Sequence, residues 1–272
     1  MKERLDVLLV AEGFFETTEK AKRSIMAGNV IVNEKKIDKS GTMIKVTDDL
    51  NIRVKGHTCP YVSRGGYKLE KAIKIFNIDF KGKTVLDVGS STGGFTDCAL
   101  QNGADYVYAV DVGTNQLDYK LRNSIKVKSL ENMHIKNLTQ DDVDRSQIDI
   151  IVMDVSFISI KKIIPDLIKF FNENTILMAL IKPQFEVEKD GICKGGIVKD
   201  QEQHLKVIRE IISFVEETKL NIEHIDFSPI KGGKGNVEYI SLITMKNENR
   251  REYSEEELRN IIKEGETLGG EI

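Results

Sequence analysis

The chain is predicted to be α/β: a Rossmann-like, seven-stranded, mostly parallel sheet preceded by a small α+β unit. Three observations lead there. Between Val85 and Thr244, short β-branched runs alternate with helical patterns, the arrangement of a parallel sheet with helices on both faces. Within that alternation, Lys83 to Thr96 reads as a buried strand that turns into a helix through a loop of glycines and hydroxyl residues. Residues 1–55 follow a different order, two short helices and then several short strands.

The 272 residues fit one domain with a smaller one attached. The net charge is −3, yet residues 1–60 hold 11 Lys and Arg against 9 Asp and Glu, a balance of +2 that leaves −5 for the rest. The front end is the basic end. Cys59, Cys98 and Cys193 form no C-x-x-C pair and are odd in number, so neither a disulfide framework nor a metal site is indicated. His57, two residues from Cys59, has no second ligand pair nearby. The charged amino terminus has no signal-peptide core, and no apolar run approaches a membrane span. A cytoplasmic, soluble protein is expected, without membrane association and with no obligate protein partner evident.

Leu5, Leu8, Leu9 and Ala11 give residues 4–13 an apolar helical face closed by Gly13. Thr17 or Thr18 caps a second helix, with Ala21, Ile25 and Met26 on one side, Lys20, Lys22 and Arg23 largely on the other, and Gly28 at its end. Residues 29–33 read as a strand, Glu34-Lys35-Lys36 as a hairpin turn and Ile37 as its continuation. Residues 44–54 read as further short strands parted by Asp48-Asp49. Glycine and proline without periodicity place a linker at 56–62.

From Tyr67 an amphipathic helix runs through Leu69, Ala72, Ile73 and Phe76. Lys68 sits in its first turn, where the helix dipole gives a cation nothing. After the strand at 85–88 come a helix at 96–102, a strand at 106–110, a helical segment at 117–122 and strands at 125–127 and 148–153. A helix at 163–171, a strand at 175–181, a long helix at 204–218 and strands at 222–227 and 237–244 complete the alternation. Residues 247–272 read as a highly charged tail with a helical pattern around Leu258, Ile261 and Ile262.

The loop Gly89-Ser90-Ser91-Thr92-Gly93-Gly94 lacks the G-x-G-x-x-G spacing of a dinucleotide site and the Gly-Lys-Ser/Thr ending of a phosphate loop. Asp87 lies just before the end of its strand, and Gly89 stands where a missing side chain lets a ligand lie on the backbone. Asp111, about twenty residues beyond the loop, ends the second strand, where an acid accepts hydrogen bonds from ribose hydroxyls.

The front segment resembles the S-four-type RNA-binding domain. The likeness rests on Arg4-Leu5-Asp6, on Lys20 to Asn33, and on Lys39-Ser40-Gly41, and it implies that Arg4, Lys20, Lys22, Arg23, Lys35 and Lys36 approach RNA phosphates. Asp87-Val-Gly-x-x-x-Gly-Gly-Phe95, with the acid at Asp111, resembles class I S-adenosylmethionine-dependent methyltransferases. That likeness implies S-adenosyl-L-methionine as cofactor, held by Asp87, Gly89, Ser90, Ser91, Gly93, Gly94, Phe95, Asp111, Asn132 and Asp154. In it Asp111 holds the ribose, and Glu131-Asn132 flanks the adenine.

Lys68, Asp154 in Met153-Asp-Val-Ser-Phe-Ile-Ser159, Lys182 in Leu180-Ile-Lys-Pro-Gln-Phe-Glu186 and Glu238 in Gly235-Asn-Val-Glu-Tyr239 look like the Lys-Asp-Lys-Glu tetrad of FtsJ-type RNA ribose 2′-O-methyltransferases. With Lys194-Gly-Gly-Ile-Val-Lys-Asp200 between, residues 1–245 are similar to the TlyA/hemolysin-A family of ribosomal RNA methyltransferases. The resemblance implies ribosomal RNA or a ribosomal subunit as partner, residues 1–55 as the RNA-binding domain and 63–246 as the methyltransferase domain. Lys182 would assist attack by a 2′-hydroxyl. Lys68 would depress the pKa of Lys182, whereas Asp154 and Glu238 would oppose that shift; the sequence leaves the net sign open. Arg64, beside the catalytic lysine, and Lys231-Gly-Gly-Lys-Gly235 join the front domain as candidates for choosing the RNA. Two other readings stand beside this one, a non-catalytic RNA-binding assembly factor and the lytic activity in the family's older name; the loop spacing argues against a nicotinamide dehydrogenase.

Overall fold

The structure is a computed structural model that describes residues 2–12, 14–15, 17–47, 50–55, 59–188, 191, 193, 195–232, 235–245 and 251–267. Gly13, the Asp48-Asp49 pair, His57 with its neighbours Gly56 and Thr58, Lys194 and the middle of the Lys231–Gly235 stretch lie outside the described residues.

The front unit contains β1 (Lys2–Arg4), α1 (Leu5–Ala11), α2 (Thr18–Met26), β2 (Val30–Val32), β3 (Lys35–Ile37), β4 (Met43–Lys45) and β5 (Ile52–Val54). The Thr17 side chain caps α2 by accepting from the Lys20 N–H at 3.3 Å. Strand β1, too short to show alternation in the sequence, pairs antiparallel with β4, and β3-β2-β5 form a second antiparallel sheet. The hairpin turn is Asn33-Glu34, with φ of 45° and 64°, so Lys35 and Lys36 belong to strand β3 and not to the turn. Two consecutive left-handed residues match the twist of a tight hairpin. Leu5, Leu9, Ala21, Ile25 and Val30, all fully buried, make the core of this unit.

The body follows as α3 (Gly65–Phe76), β6 (Thr84–Val88), α4 (Gly94–Gln101), β7 (Tyr106–Val110), α5 (Tyr119–Arg122), β8 (Val127–Leu130), β9 (Ile150–Met153), α6 (Ile164–Leu167), β10 (Ile176–Ile181), α7 (Pro183–Glu186), α8 (Gln201–Glu217), β11 (Leu220–Phe227), β12 (Tyr239–Met245) and α9 (Glu255–Thr267). The expected third strand is displaced to β8, which leaves Ile125 96% exposed. The helix expected at 163–171 splits into α6 and a 3₁₀ turn, Ile168–Phe170. The helical pattern read around Leu258, Ile261 and Ile262 in the charged segment is α9, which packs on α8 and β11 and buries Leu258 and Ile262. Its Arg259 bonds Glu202 at 2.6 Å and Glu255 at 2.7 Å.

The seven strands stand in the order β11-β12-β10-β9-β6-β7-β8. Strands β6 to β10 are parallel, and β12 runs antiparallel between β10 and β11. Apolar clusters cover both sheet faces. The strand order reverses between β6 and β9, and an open α/β sheet leaves a crevice for ligands at the carboxyl ends of strands at such a point. Register does the rest. Val88 pairs with Met153, so Gly89 and Asp154 emerge side by side. Ile181 pairs with Tyr239, so Lys182 leaves β10 next to Glu238, which enters β12. Among the described residues, no helix is long and apolar enough to cross a membrane.

Candidate active site

Lys68, Asp154, Lys182 and Glu238 come from α3 and from the ends of β9, β10 and β12, and they meet in one alternating ionic cluster. Lys182 Nζ lies 2.5 Å from Asp154 Oδ1. Lys68 Nζ lies 3.3 Å from Asp154 Oδ2 and 2.8 Å from Glu238 Oε2. Two ammonium groups and two carboxylates balance their own charge, as groups this buried must. Helix α3 begins at Gly65, earlier than the sequence pattern indicates, so Lys68 closes its first turn and faces inward, 7% exposed.

Burial disfavours the Lys68 ammonium, but Asp154 and Glu238 outweigh it and hold its pKa above the ordinary value. Burial likewise pushes Asp154 up, and Lys182 and Lys68 overcome that and hold its carboxyl below the usual range. Lys68 and Asp154, the two members that bridge the cluster, therefore stay ionised around neutral pH.

Further residues, absent from the sequence-derived site, complete the cluster. Lys182 donates to Ser156 Oγ at 2.9 Å, and Gln184 donates to Glu238 Oε1 at 3.0 Å. Both lie two residues beyond a tetrad member, in motifs already singled out. Phe157 follows Ser156 in a left-handed conformation, φ 64°, and is 73% exposed, with its ring 5.1 Å from that of Phe185. A bulky residue held there and turned to solvent marks a functional segment. Glu186 ties the two segments together, accepting from Ser159 Oγ at 2.6 Å and from the Ile160 N–H at 2.8 Å.

A cavity of about 880 Å³ opens over the cluster. Of the expected cofactor residues, Gly89, Ser90, Ser91, Gly94, Phe95 and Asp154 line it. Gly89 has φ 82°, and a Cβ there would stand 2.9 Å from the Asp154 carbonyl oxygen, so only glycine lets the loop pass between the two strand ends. Asp87, Gly93, Asp111 and Asn132 do not line it. Gly93, φ 94°, is required by packing, since a Cβ would strike Leu121 at 2.3 Å. Asp87 is fully buried beneath the loop; its Oδ2 accepts from Thr96 Oγ1 at 2.6 Å, and its Oδ1 has no hydrogen-bond partner among the described residues. Burial pushes its pKa up to about 7 against the opposing Thr96 bond.

Asp111 accepts from the backbone N–H groups of Ser91 and Gly113, both at 2.7 Å, which fastens the glycine loop to the next strand end. Asn132, φ 53° and exposed, lies beside it through its N–H bond to the Gly113 carbonyl at 2.8 Å. The adenosine-side residues thus border the glycine loop but not the cavity. The unpartnered Asp87 Oδ1 and the unpartnered buried Ser90 Oγ are the groups a cofactor ammonium and carboxylate would satisfy, so the loop fits an amino-acid-bearing donor such as S-adenosylmethionine.

The expected RNA contacts divide. Lys20, Arg23, Lys35 and Lys36 are exposed on α2 and β3, and Lys22 is half-buried, 4.0 Å from Glu19. Lys36 lies over Gly28, where a Cβ would meet its Cε at 2.1 Å, so the α2 end and β3 present their cations together. Arg4 is engaged with Asp6, through bonds of 3.0 and 2.7 Å. Arg64 lines the cavity but pairs with Glu12 across the two units, its guanidinium 5.6 Å from the Phe14 ring.

Strand order, loop and ionic cluster define a methyltransferase of the Rossmann-like class, and comparison with known proteins places the chain within it. Residues 61–244 match the FtsJ-like methyltransferase family and residues 3–50 match the S4 domain; the chain belongs to the FtsJ-like methyltransferase family, whose methyl donor is S-adenosylmethionine. It is 46% identical to "Putative rRNA methyltransferase YqxC" of Bacillus subtilis, over 97% of this chain and 94% of that protein. It is 35% identical to "16S/23S rRNA (cytidine-2'-O)-methyltransferase TlyA" of Mycobacterium tuberculosis, over 87% of each. A solved structure titled "Putative hemolysin from Streptococcus thermophilus" superposes with a TM-score of 0.80 at 39% identity, covering 98% of this chain and 96% of that one.

Proposed function

We propose that the protein methylates a ribose 2′-hydroxyl of ribosomal RNA, with Lys68, Asp154, Lys182 and Glu238 as the catalytic group. The observation that carries this reading is the ionic cluster in the cavity floor, set directly against the Gly89–Ser91 loop. Relatives named for cytidine-2'-O methylation of rRNA support the same substrate class.

A ribose hydroxyl is a poor nucleophile at neutral pH, whereas S-adenosylmethionine supplies a methyl group already activated on a sulfonium, so the protein must align the two and ease loss of the hydroxyl proton. Lys182 donates one N–H to Ser156 and lies in ion-pair contact with Asp154, which leaves its ammonium an N–H to offer the ribose oxygen. Held by that bond, the oxygen keeps a lone pair for the methyl carbon; as the O–C bond forms, the methyl–sulfur bond of the donor would break and the hydroxyl proton pass to solvent, while the ammonium meets the negative charge that grows on the oxygen. Asp154 fixes Lys182 from one side, while Lys68 and Glu238 fix Asp154 from the other. The Phe157 ring, exposed beside the cluster, offers a face on which an unstacked base can lie.

Cofactor contacts are assigned to Gly89, Ser90, Ser91, Gly94 and Phe95, with Asp87 beneath the amino-acid end and Asp111 and Asn132 on the ribose and adenine side. Residues 1–55 serve as the RNA-binding domain, with Lys20, Lys22, Arg23, Lys35 and Lys36 on phosphates, and 63–246 as the methyltransferase domain in a cytoplasmic enzyme. The test is Lys182→Ala. It should bind S-adenosylmethionine within about twofold of the parent by calorimetry and transfer no methyl group to rRNA; full transfer would remove Lys182 from the mechanism.

A further inference from the structure

Five lysine and arginine side chains line the cavity among the described residues: Lys45, Arg64, Lys68, Lys182 and Lys231. Lys68 and Lys182 are neutralised within the tetrad, and Arg64 by Glu12. Lys45 and Lys231 have no ion pair among the described residues. The floor therefore offers a polyanion no net attraction, and the uncompensated positive charge of the lining sits on these two residues, one from each unit.

Lys45 ends β4, and with Val46 and Thr47 it makes the front unit a wall of the methyl-transfer cavity. Lys231 lines the same cavity from the other unit, between Ile230 and Gly232. That segment packs on the tetrad itself, since a Cβ at Gly232 would fall 2.0 Å from Glu238 Oε1. The exposed Phe157 ring belongs to the same lining.

We propose that Lys45 and Lys231 form a phosphate clamp, each holding a phosphodiester of the RNA strand that flanks the nucleotide presented to Lys182. This rests on the reading of the protein as an RNA ribose methyltransferase, and it gives the front domain a second role, since besides anchoring RNA on its α2 face it closes the catalytic cavity. Lysine suits the clamp because a flexible ammonium follows a backbone phosphate without reading sequence.

The experiment uses the full chain, S-adenosylmethionine and rRNA from cells that lack the gene. Lys45→Gln and Lys231→Gln are each compared with the parent and with the Lys→Arg form. Each glutamine variant should raise KM for RNA about tenfold and leave kcat within about twofold. Each should also lower the slope of log affinity against log salt by about one, the share of one phosphate contact. Cofactor affinity stays unchanged, and arginine restores KM and slope. An unchanged KM and salt slope in both glutamine variants would overturn the clamp, as would a raised KM without a change of slope, which marks a merely structural lysine. Failure of the underlying reading is distinct, because there the parent protein itself transfers no methyl group to rRNA.

Discussion

Replacing Lys68 by Met tests the ionic cluster as a unit. Methionine keeps nearly the same length of side chain but removes the ammonium that lies 2.8 Å from Glu238 and 3.3 Å from Asp154. Asp154 retains Lys182, while Glu238, whose side chain is 2% exposed, retains among the described residues only the neutral amide of Gln184. Removing one partner of a buried pair costs about 3–5 kcal/mol, because the remaining charge is left without compensation. At about 2–4 °C per kcal/mol for a body of this size, Tm should fall by about 6–20 °C. Adding Glu238→Gln removes the stranded carboxylate and should recover about 2 kcal/mol, so that the double variant is more stable than Lys68→Met alone. The chain has no tryptophan, and thermal unfolding followed by far-UV circular dichroism is the natural assay. A Tm shift below about 2 °C for Lys68→Met, or no recovery in the double variant, would refute the argument that these charges hold one another.

Two further outcomes follow from the cavity and its loop. Asp87 has its folded pKa raised to about 7, so from about pH 4 upward the native state keeps a proton that the unfolded chain has released. Its contribution therefore falls as pH rises through that window. Asp87→Asn should gain up to about 4 kcal/mol relative to the parent between pH 4 and pH 7, read as a widening difference in Tm, and parallel curves would sink the assignment. Phe157→Ala should raise KM for RNA about tenfold, a loss of about 1–3 kcal/mol of stacking, with melting temperature and cofactor affinity unchanged; equal KM values would show that no base rests there.

The alternation of strands and helices was legible because parallel strands are buried on both faces and leave continuous apolar runs. The Asp154 and Lys182 motifs fall at the ends of such runs, which made their edge of the sheet readable. What escaped the sequence depended on contacts between distant segments. The pairing of β1 with β4 involves three residues on each side and carries no periodic signal. Whether Arg64 is free could not be read, because its partner Glu12 belongs to another unit, and Lys45 joined the site only once β4 was seen against the cavity. The 247–272 segment looked like a tail because charge dominates its composition, yet Leu258 and Ile262 suffice to seat α9. For the Lys68 pKa, burial and the two carboxylates act in opposite directions, and only distances decide between them.

Methyl transfer to a ribose 2′-hydroxyl through the tetrad leaves a chemical mark that can be located. The most direct test incubates rRNA from cells lacking the gene with the protein and S-adenosylmethionine, then locates 2′-O-methyl groups by the resistance of the adjacent phosphodiester to alkali. A discrete protected ribose is expected with the parent protein and none with Lys182→Ala. Methylation found on a base, or a protected ribose of equal yield with Lys182→Ala, would contradict it.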